Sequence, residues 1–437
     1  VNAGVYASIG VLREPREAHE CLWQDFAGEQ ELRLWSSNRL STFREIETVS
    51  GGLFTMKLAG RIDRIPPYLF ARLEERAGAM RRKGVDLIDL GIADPDLPPP
   101  PFLKEAVIRH LDDDDAHQYP TSRGDPEVRE AIARWFEGRF GVRLDPASEI
   151  AVVIGGKEGL ANLSRAFAAP GTTVAAPDPG YPVYFNAAAI LNDAEARSLP
   201  LTPQRGFLPE LRQVEGASLL FLNYPNNPTG AVAPETFYRE TAEFVEAHPE
   251  TLVTWDAAHC ELTFEGERPP SLLQFTRNAV EVHSLSKMMN VTGYRIGFAV
   301  GHPEAIAALV KVKTQLDSGA PVFIQRAMAE ALDRYDGPTP PEECRRSHAE
   351  YGRRKKIVEA GLAQVPGVSE VYPSNATFFV WAKVEDDVAF VERALEAGVI
   401  LTPGRGFGAN GMGFVRAAVT APADRLEEAV ERLAGKG

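Results

Sequence analysis

Between residues 150 and 300, short apolar runs recur, and each is cut off by a polar loop. The clearest span 151–154, 218–222, 251–255 and 280–283, with 173–176 and 296–300 beside them. Runs of four or five residues are strand-length, and strands that are apolar throughout are those covered on both faces. They alternate with helical stretches such as 157–168 and 183–191. That alternation predicts an α/β fold whose mostly parallel sheet is sandwiched by helices. In such sheets ligands lie outside the carboxyl ends of the strands. The polar loops after Ile154, Leu222, Trp255 and His283 are therefore expected to converge on one site.

The flanks read differently. Residues 67–83 carry Leu69, Phe70, Leu73, Ala77 and Met80 at helical spacing, 86–91 suit a short strand, and 102–111 a helix. The acidic run 112–115 has no histidine or spaced carboxylate beside it, so a solvated turn is expected rather than a metal site. Past about residue 310 a long helix (345–363), strands near 377–381 and 413–419 and a last helix (424–433) predict a smaller α+β domain. The expected division is a large domain over 101–312 and a small one over 313–437, with the segment 56–100 joining the small one. Residues 1–55 hold no Met, no Lys and no long periodic segment. They are read either as a leader, non-native or poorly ordered, or as a genuine N-terminal arm.

With 437 residues the chain suits two or three domains. A formal net charge of −14 argues against nucleic acid and anionic membranes as partners and favours a small molecule. An anionic substrate would then need locally placed Arg or Lys. Three cysteines, an odd and sparse number, fit a reducing compartment better than a disulfide framework. No apolar run approaches the ~20 residues that span a bilayer, and no signal-peptide pattern opens the chain. The cytoplasm is the expected location.

Four strand-end loops carry the chemistry. Gly155-Gly156-Lys157-Glu158-Gly159 lies between a strand and a helix, where glycines and helix amides favour an anion. Asn223-Tyr224-Pro225-Asn226-Asn227-Pro228-Thr229-Gly230 makes a rigid polar turn. Asp256 follows an apolar strand, where a desolvated carboxylate needs a cationic partner to stay charged. Ser284-Leu285-Ser286-Lys287 places a lysine beside a central sheet. Burial there is costly unless the amine pairs or reacts, and lysines form Schiff bases with carbonyl compounds. Arg295 and the two serines would suit a phosphate.

These residues closely resemble the fold-type I pyridoxal-phosphate-dependent aminotransferases of class I/II, from Met56 to the C-terminus. Ser-Leu-Ser-Lys287 with Thr292-Gly-Tyr-Arg295-Ile-Gly297 is similar to the family's cofactor-attachment signature, and Asn-Tyr-Pro-Asn-Asn-Pro-Thr-Gly230 to its second landmark. The resemblance implies a seven-stranded-type sheet, pyridoxal 5′-phosphate as cofactor, and exchange of an amino group between an amino acid and a 2-oxo acid. It implies that Lys287 holds the cofactor covalently and shuttles a proton between substrate Cα and cofactor C4′. Asp256 would pair with the ring nitrogen, Asn227 with the ring's 3-oxygen, and Tyr181 would stack on the ring. Gly156, Lys157, Ser284, Ser286 and Arg295 would surround the phosphate, with Tyr119 reaching it from a neighbouring subunit of a homodimer. Arg416 would clamp the substrate's α-carboxylate, with Asn227 and Ala93 also bordering the substrate.

Three positions depart from the pattern. His259 stands where many relatives have Tyr as a second donor to the 3-oxygen, and imidazole can change charge near neutral pH. Gly156 often is Ser in relatives, and Ala93 replaces a common Gly. Gly406-x-Gly408-x-x-Gly411 formally fits a dinucleotide motif, but a strand-like stretch follows it instead of a helix, so a glycine loop near the substrate is expected. Asp178 to Tyr184, the lysine string and Gln315-Leu-Asp-Ser-Gly319 look most like the LL-diaminopimelate aminotransferase-like branch. A C–S β-lyase would start from the same lysine and is the rival reading within the fold. An aminotransferase-like transcription regulator would need a basic DNA-binding module, which residues 1–55, with five Arg against eight Asp or Glu, do not supply.

Overall fold

In the computed structural model of the chain, residues 57–66, 71–266 and 268–435 are described. The leader expected over 1–55 lies outside them, as do the first residues of the helix expected from 67; that helix is seen as Ala71–Arg82.

A two-residue strand, β1 (Ile88–Asp89), comes first. Seven strands then build the large sheet: β2 (Ile150–Val153), β3 (Thr173–Asp178), β4 (Glu195–Pro200), β5 (Leu219–Asn223), β6 (Leu252–Asp256), β7 (Ala279–Ser284) and β8 (Gly297–Gly301). Their order is β2-β8-β7-β6-β5-β3-β4. Neighbours are parallel except β8, which runs antiparallel to both β2 and β7. The connection from β7 to β8 turns back instead of crossing the sheet, and it carries Lys287.

Every residue of β5, β6 and β7 is buried; β5 and β6 read as mainly apolar runs for that reason, whereas β7 carries Glu281 and His283, which bond to each other at 3.0 Å. Successive residues feed opposite cores, as the pleat requires. Val152, Leu220 and Leu222 pack with Ile132, Trp135 and Met328 on one face. Val153, Leu219 and Phe221 pack with Leu160, Leu163 and Ile306 on the other. The edge strand β4 is not legible in the sequence. It buries only Leu199 fully and otherwise presents polar or partly exposed side chains. The segment expected as an ordinary helix at 183–191 is a π-helical turn, Tyr184–Ala189, followed by a 3-10 turn.

A second sheet is formed by β9 (Val368–Tyr372), β10 (Phe379–Val384), β12 (Thr402–Pro403) and β13 (Phe414–Ala418), all antiparallel, in the order β12-β13-β10-β9. The short β11 (Val399–Ile400) pairs in parallel with β1, and Ile88 and Leu90 lie in the second core. Helices Glu342–Leu362, Asp387–Glu396 and Ala423–Leu433 supply that core with Tyr351, Val358, Phe390, Val391 and Leu426. Packing carries the first core beyond the 312/313 division read from the sequence. Ala327, Met328, Ala331 and Leu332 of helix Val322–Leu332 pack under the large sheet, because their apolar stripe faces helices Pro101–Leu111 and Pro126–Phe140.

Candidate active site

The carboxyl ends of β5 and β6 lie side by side, with Asn223 in register with Asp256 and Asp256 with Val282 of β7. The loops that leave these strands and β2 meet at one cavity of about 360 Å³. Gly156, Lys157, Asn227, Asp256, His259, Ser284, Ser286 and Lys287 line it, and Tyr181, Arg295, Ala93 and Arg416 complete the walls. Tyr119 is not among them; it is 93% exposed. Asp113 and Asp115 of the acidic run instead hold the Arg326 guanidinium, each at 2.7 Å.

One end of the cavity is built for an anion. Helix Gly156–Phe167 starts there, with its first amides free of intrahelical partners. Gly155 has φ 75°, and a Cβ on it would lie 2.9 Å from Nη2 of Arg295. Glycine at 155 therefore lets the guanidinium sit against the helix start. Arg295 donates from Nη1 to the Thr292 carbonyl at 2.8 Å, which fixes the side chain. Space does not force glycine at 156: a Cβ there would meet Val282 at 3.5 Å and Ser284 at 3.7 Å, ordinary contacts.

At the sheet end lies Asp256, 5% exposed. Its carboxylate accepts from the Tyr184 hydroxyl at 2.8 Å and from the Ala258 amide at 3.1 Å. Burial pushes its pKa up, and these two hydrogen bonds oppose the shift. A carboxyl so placed gains from a cationic partner. Sequence reasoning misses Tyr184, which falls within a stretch expected to be helical core. Its ring stacks on Phe221 at 4.9 Å, so its one polar atom is delivered to Asp256 by packing. Tyr181 stands edge-on to Tyr184 at 5.8 Å; burial, reinforced by the charge of Asp256, pushes its phenol up to about 12.

Lys287 sits in the short helical turn Leu285–Met288. Its Nζ donates to the Ala93 carbonyl at 2.5 Å and lies 5.7 Å above the Phe378 ring. Burial lowers its pKa to about 8; Asp94 opposes the shift, while Arg416 and Arg295 add to it. Ala93 thus meets the lysine through its carbonyl, a contact its side chain could not announce. Asp94, which also accepts from the Thr292 hydroxyl at 2.6 Å, is a wall residue that sequence reasoning does not single out.

His259 is buried edge-on to Phe379, with ring centroids 5.3 Å apart. Burial, then the charges of Lys287 and Arg416, drive its pKa down to about 3. The expectation of a charge change near neutral pH is therefore corrected: this imidazole stays neutral. Among the described residues its Nδ1 is buried without a hydrogen-bond partner. Arg416, in β13, lies between the rings of Phe379 (4.5 Å) and Phe407 (4.6 Å). It donates to Oδ1 of Asn227 at 2.9 Å and to the Gly91 carbonyl at 2.8 Å. The glycine motif beside Phe407 has a packing cause. Gly408 has φ 133°, and a Cβ there would fall 2.0 Å from a carboxylate oxygen of Asp178.

This donor set fits pyridoxal phosphate. The cavity brings together an amide-and-guanidinium cradle, a buried carboxyl and a lysine of lowered pKa, and the orphaned nitrogen of His259 adds a neutral polar group to its wall.

The profile of the aminotransferase class I and II family matches residues 85–433. An LL-diaminopimelate aminotransferase of Moorella thermoacetica is 41% identical over 390 residues, covering 86% of this chain and 98% of its own. Among solved structures, a probable N-succinyldiaminopimelate aminotransferase of Thermus thermophilus is 36% identical with a TM-score of 0.77, covering 84% of this chain and all of that one. Aspartate aminotransferase from Thermus thermophilus with maleate is 30% identical with a TM-score of 0.78, over 87% of this chain and all of that one.

Proposed function

This chain belongs to the class I and II aminotransferases and works with pyridoxal phosphate, and from that premise we propose that it moves the amino group of LL-diaminopimelate to 2-oxoglutarate at the cavity around Lys287. The observation that carries the site is the meeting of three groups in one cavity: the Lys287 amine, the Asp256 carboxyl and the Arg416 guanidinium. The relative at 41% identity supports the donor.

Bound pyridoxal phosphate supplies an aldehyde carbon for amine exchange and a protonated ring that takes up the electron pair left on the substrate's Cα. The protein's residues do the rest. Asp256 keeps the ring nitrogen protonated, and that charge in turn holds the buried carboxyl ionised. Lys287 would hold the cofactor and, as a free amine, would carry the proton from Cα to C4′. Its lowered pKa leaves the amine neutral for a useful fraction of the time near neutral pH. Arg416 reads the α-carboxylate with a planar fork already aimed by Asn227 and Gly91. Ser284, Ser286, Lys157, Arg295 and the amide of Gly156 hold the phosphate. Asn227 and His259 would serve the 3-oxygen, and Tyr181 would cover the ring. The second half of the cycle runs the same steps in reverse on the 2-oxo acid.

The reading extends to a homodimer in which Tyr119 of one copy completes the phosphate site of the other; its 93% exposure supports this. It places the enzyme in the cytoplasm, which free, buried Cys260 and Cys344 support. Among the described residues no helix is long and apolar enough to cross a membrane.

Two measurements test the proposal. Glutamate formation from 2-oxoglutarate should be faster per mole of LL-diaminopimelate than of aspartate or alanine; turnover of aspartate alone would overturn the donor. Borohydride reduction of the holoenzyme should attach the cofactor to Lys287, and a label elsewhere would overturn the site.

A further inference from the structure

A second buried lysine lies outside the cavity. Lys355, on helix Glu342–Leu362, is 1% exposed and is not a wall residue. Its Nζ donates to the Ser374 hydroxyl at 2.8 Å and to the carbonyls of Ala376 at 2.5 Å and Thr377 at 3.4 Å. Burial lowers its pKa to about 7 against the opposing charge of Glu359, whose carboxylate also accepts from the Ser374 amide at 3.2 Å, and an amine buried at this cost is a poor way to gain stability. The contacts make sense as geometry. The turn they hold includes Thr377, whose φ of 61° is left-handed, a conformation that β-branched residues resist. The Thr377 amide is tied to the Leu262 carbonyl at 2.8 Å, and the Phe264 amide to that of Asn375 at 2.7 Å.

Directly after this turn come Phe378 and Phe379, both buried. Phe378 lies under the Lys287 amine, and Phe379 lies against Arg416 and His259 at the distances given above. Gly230, which ends the Asn-Pro-Thr-Gly string carrying Asn227, packs on the same point: a Cβ on it would lie 2.8 Å from the Ser374 hydroxyl and 3.4 Å from Lys355 Nζ. The preceding residues of the helix brace the opposite wall. Arg354 pairs with both oxygens of Asp96 at 2.8 and 2.9 Å, and Tyr351 accepts from the Leu97 amide at 3.2 Å, close to Ala93 and Asp94.

We propose that Lys355 is a positioning residue: it fixes the turn 374–377 so that Phe378 and Phe379 present Lys287, His259 and Arg416 to the substrate in working register. The proposal rests on the site reading above.

The test uses purified holoenzyme carrying Lys355→Met or Ser374→Ala, with Arg139→Met as the comparison. Arg139 is also buried but pairs with Glu261, and neither is a wall residue. Lys355→Met should raise KM for the amino donor or lower kcat by about 10- to 100-fold, the scale of a small misplacement of reacting groups. It should also move the pH midpoint of the cofactor's absorbance by about half a unit, because the surroundings of Lys287 change. Ser374→Ala should shift both in the same direction by less. Arg139→Met should lower Tm and leave both unchanged. The inference is overturned if Lys355→Met and Ser374→Ala behave like Arg139→Met. Should Lys355→Met not fold, Ser374→Ala decides alone, and unchanged KM and midpoint count against the inference. Borohydride labelling of the unmodified enzyme runs alongside. A label away from Lys287 would defeat the site reading, whereas a label at Lys287 with unmoved kinetics would defeat only the role of Lys355.

Discussion

Two groups of buried charges sit close to the large sheet, and they are solved in opposite ways. Away from the cavity, Arg139 meets Glu261 at 2.9 Å with side chains only 6% and 1% exposed, and Arg268 and Tyr335 reach the same carboxylate. Glu281 takes Nε2 of His283 at 3.0 Å, and Lys313 is held between Glu158 and Asp317. Each of these carboxylates faces a donor. At the carboxyl ends of the strands, burial and then Arg416 and Arg295 lower the proton affinity of Lys287, Asp256 is held by neutral donors, and one nitrogen of His259 has no partner among the described residues. The first group is finished by folding. The second is finished by what binds to it.

The sharpest break of this contrast is Lys287→Ala. It should lower turnover by about 10⁴-fold or more, while Tm of the apoprotein holds or rises because a crowded cation is gone. A large fall in Tm would put Lys287 in the same class as the completed pairs. The converse change is Arg139→Met, which strands Glu261 in the core. A loss of about 3–5 kcal/mol is expected in denaturant unfolding, with kcat of the remaining folded holoenzyme unchanged. Next is Arg416→Lys, which keeps charge but loses the planar fork; kcat/KM should drop by an amount equivalent to about 1.5–3 kcal/mol. The smallest effect concerns pH. Only the neutral amine attacks an aldehyde, and raising pH through the lysine's pKa neutralises it. Capture of pyridoxal phosphate by apoenzyme should therefore speed up with pH and level off above about 8. Asp94→Asn removes the one charge that holds this pKa up, so the rise should move to lower pH. Stopped-flow absorbance would reveal a plateau only above the usual lysine range if the contrast is wrong.

Much of the site can be read directly because it depends on strand ends. A strand buried on both faces is apolar until it stops, so Asp256, Asn227 and Lys287 stand out in the polar strings where β6, β5 and β7 end. Arg416 comes from the family resemblance, since its own string is an unremarkable strand. What stays hidden depends on packing between distant segments. Strand β4 borrows its structure from β3 and shows little apolar pattern of its own. Tyr184 and Lys355 act through one polar atom aimed by a ring stack or a helix, and no local spacing encodes the target. His259 is visible as a histidine, but its neutrality follows from total burial beside two cations. The reach of the first core past residue 312 comes from the stripe of helix Val322–Leu332, which a linear division cannot see.

The contact between positions 155 and 295 restricts how this chain can drift. A methyl at 155 collides with the guanidinium as long as arginine is at 295, and the dihedral angle there penalises any side chain even after the arginine has gone. A lineage taking single steps therefore meets a locked door on the glycine side whichever residue mutates first, and escape would require rebuilding the loop itself.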